Sequence, residues 1–350
     1  MKNAVQFIYS DIKEQVCIQP VHDSLKKFTN TSINTLNRVN HKIKYTVVGY
    51  NLTINQLKTI GYTGKIIHLE HGLGILKNYT VRPHNIEVDL NILPGEFWRE
   101  RLDKKFRDYE TKLVVGGFPK SDKMINGNIN KNQMCKELNL NCNEPIILYA
   151  PTWSRNAAGL GMDNLKHFAG ISNVLAVPHN ADYKYANQYT GNIRIPKTTG
   201  DITPYLNLAD ILVTDISSVG VEFSILKKPV IHLILPEHST HSQGDVIRHY
   251  PDCTAKMTDD GYFIENTTGD VINYSIPTRP ENLKETIDCI CKNGTSKEYT
   301  EQQQYWVDRI VYNPNGRTSD RCAEIILDYI NETETEEDEN NEQRHNIRYV

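Results

Sequence analysis

The sequence predicts an α/β protein made of two doubly wound domains that face each other across a cleft. Three observations carry this expectation. Short β-branched runs alternate with stretches of helical periodicity, a pattern that packs as a parallel sheet with helices on both faces. The alternation stops at a polar, Asn-rich, Gly-containing stretch, residues 126–132, and then restarts. The length, 350 residues, is enough for two domains of ordinary size. The expected limits are 1–127 for an N-terminal domain, 128–331 for a C-terminal domain and 332–350 for a tail.

Taken in order, residues 5–9 form an apolar first strand, and 12–28 carry apolar residues at helical intervals. Residues 44–48 and 65–69 are β-branched strands, the second approached through Gly61 and Gly64. Residues 112–115 close the first domain, ending at Gly116-Gly117-Phe118-Pro119. After the linker, strands are expected at 145–150, 173–177, 209–214 and 229–233, with a final amphipathic helix over 322–330. Ligands of doubly wound sheets bind outside the carboxyl ends of the strands. Residues just after each strand are therefore the candidates for chemistry.

Composition narrows the class. Hydrophobic residues are 39% of the chain and mean hydropathy is −0.52, values of a soluble globular protein. A formal charge of −4 argues against a nucleic-acid partner held by phosphate electrostatics. That acidity sits in 332–342, which holds seven acidic residues and no basic one, and reads as a solvated, disordered end. The seven cysteines form no C-x-x-C pair and no zinc-spaced run with histidine, so reduced thiols and a cytoplasmic location are expected. The N-terminal apolar run is too short for a signal-peptide core, which places the work inside the cell or at the inner face of a membrane.

The most informative stretch is Thr214-Asp215-Ile216-Ser217-Ser218-Val219-Gly220-Val221-Glu222. A strand ends and two serines open a short helix, offering amide N–H groups and hydroxyls to a diphosphate. Glu222, a turn later, is positioned to accept hydrogen bonds from ribose hydroxyls. The plainer reading is that Ser218 only caps the helix. His71 follows the strand 65–69 between Glu70 and Gly72, where a histidine can take a proton from an attacking hydroxyl and Glu70 can orient it. His179, after strand 173–177, can stabilise charge on a leaving phosphate. Thr152, Trp153 and Arg155 leave another strand end, Arg155 offering a forked phosphate contact. Lys120 is a cation near the domain junction, and Arg317 or Arg321 can reach back toward the phosphates. His238, His241 and His249 match no helical metal spacing and read as loop polars. No metal or cofactor is expected.

Together, His71-Gly72, Gly117-x-Pro119-x-x-Asp122, residues 147–153, Pro178-His179, Thr214-Asp215-x-Ser217-Ser218, Lys228-Pro229 and the Gly316/Arg321 region resemble the CDP-glycerol glycerophosphotransferase family of teichoic-acid and capsule synthesis. The resemblance covers about residues 65–325. It implies a GT-B pair of Rossmann-like domains, acceptor side first and nucleotide donor mainly on the second. It also implies His71 as catalytic base, His179 as a second required histidine, and Thr152, Arg155, Asp215, Ser217, Ser218, Glu222 and Arg321 around the donor. The implied partners are a CDP-activated polyol or other nucleotide-diphospho donor and a glycan or polyol-phosphate acceptor, with peripheral membrane association. The chain departs from the family pattern at Val177, Asn180, Ile216 and Glu222, in the placing of Arg155 and Lys77, and in lacking the N-terminal extension of the large polymerases. His68-Leu69-Glu70-His71-Gly72-Leu73 is also similar to the strand-end motif of UDP-N-acetylglucosamine 2-epimerases. A GT-B glycosyltransferase using a UDP-sugar, and a binding protein without turnover, are the remaining alternatives.

Overall fold

The computed structural model describes residues 4–77, 80–152, 160–179, 182–183, 193–196, 200–234, 256–258 and 260–347. The first sheet holds β1 (Val5–Tyr9), β2 (Thr31–Thr35), β3 (Tyr45–Val48), β4 (Lys65–Leu69), β5 (Leu90–Leu93) and β6 (Lys112–Val115), ordered β2-β1-β3-β4-β5-β6 and parallel throughout. The second holds β7 (Ile147–Tyr149), β8 (Val174–Ala176), β9 (Ile211–Thr214) and β10 (Val230–Leu233). After the small antiparallel strands β11 (Lys256–Met257), β12 (Phe263–Ile264) and β13 (Val271–Ile272), β14 (Ile276–Thr278) completes it. Its order, β14-β10-β9-β7-β8, is again all parallel. The interior strands β3, β5, β7, β9 and β10 are buried along their whole length, as a sheet covered on both faces requires.

The expected strands are present, some up to three residues shorter, and six more appear: β11–β13 of the small antiparallel sheet, and β2, β5 and β14 in the parallel ones. β2 lies at an edge, half-buried and polar, so it carries no apolar run to find. β5 is only four residues long. β14 contains Pro277, which an edge strand tolerates because one side needs no ladder partner. The linker is shorter than expected: a helix starts at Lys131, where the Asn130 side chain accepts from the Gln133 amide at 3.0 Å.

Three expectations are corrected. The acidic segment is not a loose end, because one helix runs Thr318–Ile347. Glu334 and Glu337 reach Lys44 at 2.8 and 2.6 Å, which anchors acidic residues that sequence alone reads as solvated. That helix also crosses back to the first domain. Cys322, Ala323, Ile326 and Ile330 pack with Val5, Phe7, Ile18 and Ile67, so residues 318–331 complete the first core rather than the second. Gly117, at φ +102°, makes the turn beneath it, where a Cβ would meet the Thr318 and Arg321 side chains within 3 Å. Finally, Cys135 and Cys142 form a disulfide, contrary to fully reduced thiols. The helix Lys131–Leu138 ends in left-handed Asn139, and this reversal brings Cys142 back beside Cys135.

The largest apolar cluster joins the domains, with Leu73, Phe97 and Phe118 of the first packing with Leu148, Leu212, Phe223 and Trp306 of the second. Two buried ion pairs cross the same boundary. Arg101 donates to Glu265 at 3.1 Å and to Thr80 at 2.8 Å, and Lys120 donates to Glu222 at 2.6 Å.

Candidate active site

The strand ends of both sheets point at one cavity of about 250 Å³ between the domains. From the first domain it is lined by Lys13 and Val16 of the helix Ile12–Leu25, Tyr50 after β3, His71 and Gly72 after β4, Lys77, and Lys120 after β6. From the second come Thr152 after β7, Pro178 and His179 after β8, Asp201, and Ser217, Ser218 and Glu222 after β9.

His71 is held on several sides. Its Nδ1 is 2.9 Å from Glu70 Oε1 and 3.1 Å from the Gly49 carbonyl. Two acceptors at one ring nitrogen assign the proton to Nδ1 and the basic lone pair to Nε2. Glu70 Oε1 also accepts from the His71 amide at 3.0 Å, and Cys17 Sγ donates to the His71 carbonyl at 2.9 Å. The Tyr50 ring meets the imidazole edge-on, centroids 4.1 Å apart. Glu70 itself is buried with its carboxyl below the ordinary range; burial raises it, but the hydrogen bond and charge of His71 outweigh that.

Across the cavity, Asp215 Oδ1 accepts from the amides of Thr152 at 2.8 Å and Ser217 at 3.1 Å. Asp215 stands behind the lining residues and ties two cavity-facing loops together. Ser218 stands at the N-cap of the helix Val219–Ser224 yet its side chain makes no cap bond, so the capping explanation fails. The Thr152 hydroxyl oxygen is buried and has no partner among the described residues. Glu222 is buried on the cavity wall, with Lys120 on its Oε2.

Cations dominate the walls. Burial, with Lys120 and Lys77 nearby, brings the Lys13 amine down to about 8. Burial likewise lowers Lys77, opposed by Asp215 and Glu222. Burial also pulls on Lys120, but Glu222 holds it above its ordinary value. Lys13 Nζ lies 2.5 Å from His179 Nε2, an ammonium donating to a neutral ring. Burial first, then Lys13 and Lys77, pushes His179 down to about 3. Three amines and a neutral imidazole therefore converge on one small space, an environment suited to an anion.

Sequence reasoning anticipated His71, Glu70, His179, Thr152, Ser217, Ser218 and Glu222; the fold brings six of them to the cavity wall and sets Glu70 behind His71. Arg321 is engaged elsewhere: its guanidinium donates to the carbonyls of Gly116 at 2.7 Å and of Tyr312 and Asn313 at 3.2 Å. It braces the turn after β6 and does not line the cavity. Trp153, Arg155, Asn180, His238, His241 and His249 lie outside the described residues. Lys13, Tyr50 and Asp201 were missed. For Lys13 the strand-end rule applied, since it follows β1, but Asp11 presents that segment as an ordinary helix start, its carboxylate accepting from the Lys13 and Glu14 amides. Among the described residues no cluster of three or more His, Cys, Asp or Glu side chains is placed to hold a metal, and no helix is long and apolar enough to cross a membrane.

Comparison with known proteins agrees with this fold. The chain is 22% identical over 254 residues to a teichoic acid glycerol-phosphate transferase of Staphylococcus aureus, covering 68% of this chain and 60% of that protein. It is 32% identical over 139 residues to a teichoic acid glycerol-phosphate primase of Bacillus subtilis, covering 37% and 35%. The chain thus spans three fifths or less of the length of these relatives. Among solved structures, the wall teichoic acid polymerase TagF matches with a TM-score of 0.64 at 18% identity, over 95% of this chain and 90% of that one. A UDP-GlcNAc 2-epimerase of Methanocaldococcus jannaschii matches with a TM-score of 0.60 at 16% identity, over 93% and 99%. Both likenesses agree with a GT-B-like fold. The family model described as CDP-Glycerol:Poly(glycerophosphate) glycerophosphotransferase matches residues 14–245, and with two-thirds of the sequence inside that match, the chain belongs to this family.

Proposed function

We propose that this protein transfers a glycerol-phosphate or related polyol-phosphate group from a CDP-activated donor to a hydroxyl of a glycan or polyol-phosphate acceptor. The carrying observation is the shared cavity, whose wall joins His71 of one domain to the lysines, His179, Ser217 and Ser218 gathered from both. A variant of the similar polymerase TagF has been soaked with CDPG, which supports the choice of donor class. The work is assigned to the cytoplasmic side, at the inner face of the membrane, by peripheral association.

In this reading Ser217, Ser218 and the Thr152 hydroxyl meet the diphosphate, with Lys13 and Lys77 supplying charge. Glu222 takes the ribose hydroxyls, exchanging part of its bond to Lys120 for them. The acceptor oxygen loses its proton to His71 Nε2 and attacks the phosphorus bearing the polyol. The bond from that phosphorus to the bridging oxygen breaks, and CMP leaves with the electron pair. Fixed cations and donors oppose the charge that grows on CMP without having to reorganise. Glu70, against His71 Nδ1, stabilises the imidazolium formed.

Phosphorus NMR of the protein with an acceptor and CDP-glycerol, CDP-ribitol or UDP-sugars tests this. A new phosphodiester signal with CMP is the expected result. Release of UDP, or epimerisation of a UDP-sugar without acceptor, would overturn it.

A further inference from the structure

Glu14 is a buried carboxylate in the first turn of the helix Ile12–Leu25, outside the cavity and without contact to the reacting groups proposed above. Both of its oxygens are used. Oε2 accepts from the Ser10 amide at 2.7 Å, the Ser10 hydroxyl at 3.0 Å and the Thr53 hydroxyl at 2.7 Å. Oε1 accepts from the amides of Gly49 and Tyr50, each at 2.8 Å.

The Tyr50 N–H and the Gly49 C=O belong to one peptide group. At its far end that carbonyl faces His71 Nδ1 at 3.1 Å. The sequence of contacts is therefore carboxylate, peptide, imidazole. A negative charge at the N–H end polarises the peptide and makes the carbonyl at the other end a stronger acceptor, because hydrogen bonds in series reinforce one another. The approach is close: a Cβ on Gly49 would lie 3.1 Å from Glu14 Cγ, tighter than side chains ordinarily pack. Glycine lets the peptide sit against the carboxylate. Tyr50, fixed by the same oxygen, is the ring that meets His71 edge-on.

We propose that Glu14 is a positioning residue for His71, acting through the Gly49–Tyr50 peptide to hold the imidazole in its Nδ1–H form and aim Nε2 at the acceptor hydroxyl. This rests on the reading of His71 as base. A carboxylate needed only for folding would explain the Ser10 and Thr53 bonds as well as the Gly49 and Tyr50 ones, so the test separates the two oxygens.

Glu14→Gln presents an amide N–H₂ either to the Gly49–Tyr50 amides or to Ser10 and Thr53, so it keeps the shape and loses the charge. Removal of a partner that orients a metal-bound histidine typically costs ~10–100-fold in activity, and the same scale is carried to His71. The expected result is a fall of that size in kcat with CDP-glycerol, while KM for the donor stays within about threefold. Thr53→Val loses only an Oε2 partner and is expected to keep kcat within about threefold, even if its melting temperature falls. Nitrogen-15 spectra of the histidines give an independent readout in unaltered protein: His71 should show the Nδ1–H tautomer, and should still show it in Glu70→Gln, where the Gly49 carbonyl remains. Equal losses of kcat in Glu14→Gln and Thr53→Val, full activity in folded Glu14→Gln, or an Nε2–H tautomer in the unaltered protein would each overturn the assignment. Loss of activity in His71→Ala with the tautomer result intact leaves the base reading standing. Activity retained in His71→Ala would remove that reading itself rather than the role of Glu14.

Discussion

Replacing Lys13 with methionine removes one charge from the cavity at nearly constant volume. Its amine lies 2.5 Å from His179 Nε2, inside the space assigned to the donor diphosphate. A charge-assisted hydrogen bond to a phosphate oxygen contributes about 1.5–3 kcal/mol. Donor affinity in Lys13→Met should therefore fall by ~10–100-fold, at about 1.4 kcal/mol per factor of ten. The pH dependence is a sharper test. In the ligand-free protein the amine titrates at about 8 because burial and the neighbouring lysines disfavour its charge. A bound diphosphate opposes those effects and raises that value. Well below pH 8 the amine is protonated in both states, so this group leaves affinity unchanged. Above pH 8 the free protein has lost a proton that the complex retains. Binding then takes up a proton, and affinity drops by up to about tenfold per pH unit. Calorimetric titration with CDP-glycerol from about pH 6.5 to about 9.5, in two buffers of different ionisation enthalpy, measures affinity and proton uptake together. The slope above pH 8 should diminish in Lys13→Met. A flat profile with no proton uptake in the unaltered protein, or unchanged affinity in the variant, would refute the electrostatic account of the cavity.

Three further outcomes are expected. His71→Ala should lower kcat by ~10²–10⁴-fold with CDP-glycerol affinity nearly intact, as steady-state rates and calorimetry would read. Ser218→Ala should weaken donor binding several-fold while costing well under the ~1 kcal/mol of an ordinary cap replacement, since its side chain makes no cap bond; a clear drop in denaturation midpoint with unchanged binding would return it to a structural role. Truncation after Asn331 removes the Glu334 and Glu337 contacts to the partly exposed Lys44 but leaves the buried face of the helix, so unfolding free energy should change by about 1 kcal/mol or less.

The two α/β units and the residues at their strand ends were legible because both follow from local order. β-branched runs form strands, parallel strands need crossovers, and crossovers place ligand-facing residues at one edge. That logic located His71, His179, Thr152 and the Ser217–Glu222 segment. It failed where a residue's role depends on what lies opposite. The Asp215 carboxylate ties Thr152 to Ser217, and the Arg321 guanidinium holds the carbonyls of the β6 turn, contacts that no local pattern specifies.

The sequence by itself determined the alternation of strands and helices and which side chains stand at the sheet edges, because periodicity and chain connectivity are local properties. Only the tertiary structure decided that Lys13 meets His179 across 166 positions of chain, that Glu222 holds Lys120 and that the last helix returns to the first sheet. Such pairings depend on burial and Coulomb attraction between distant segments, and neither is set until both domains have closed on the same cavity.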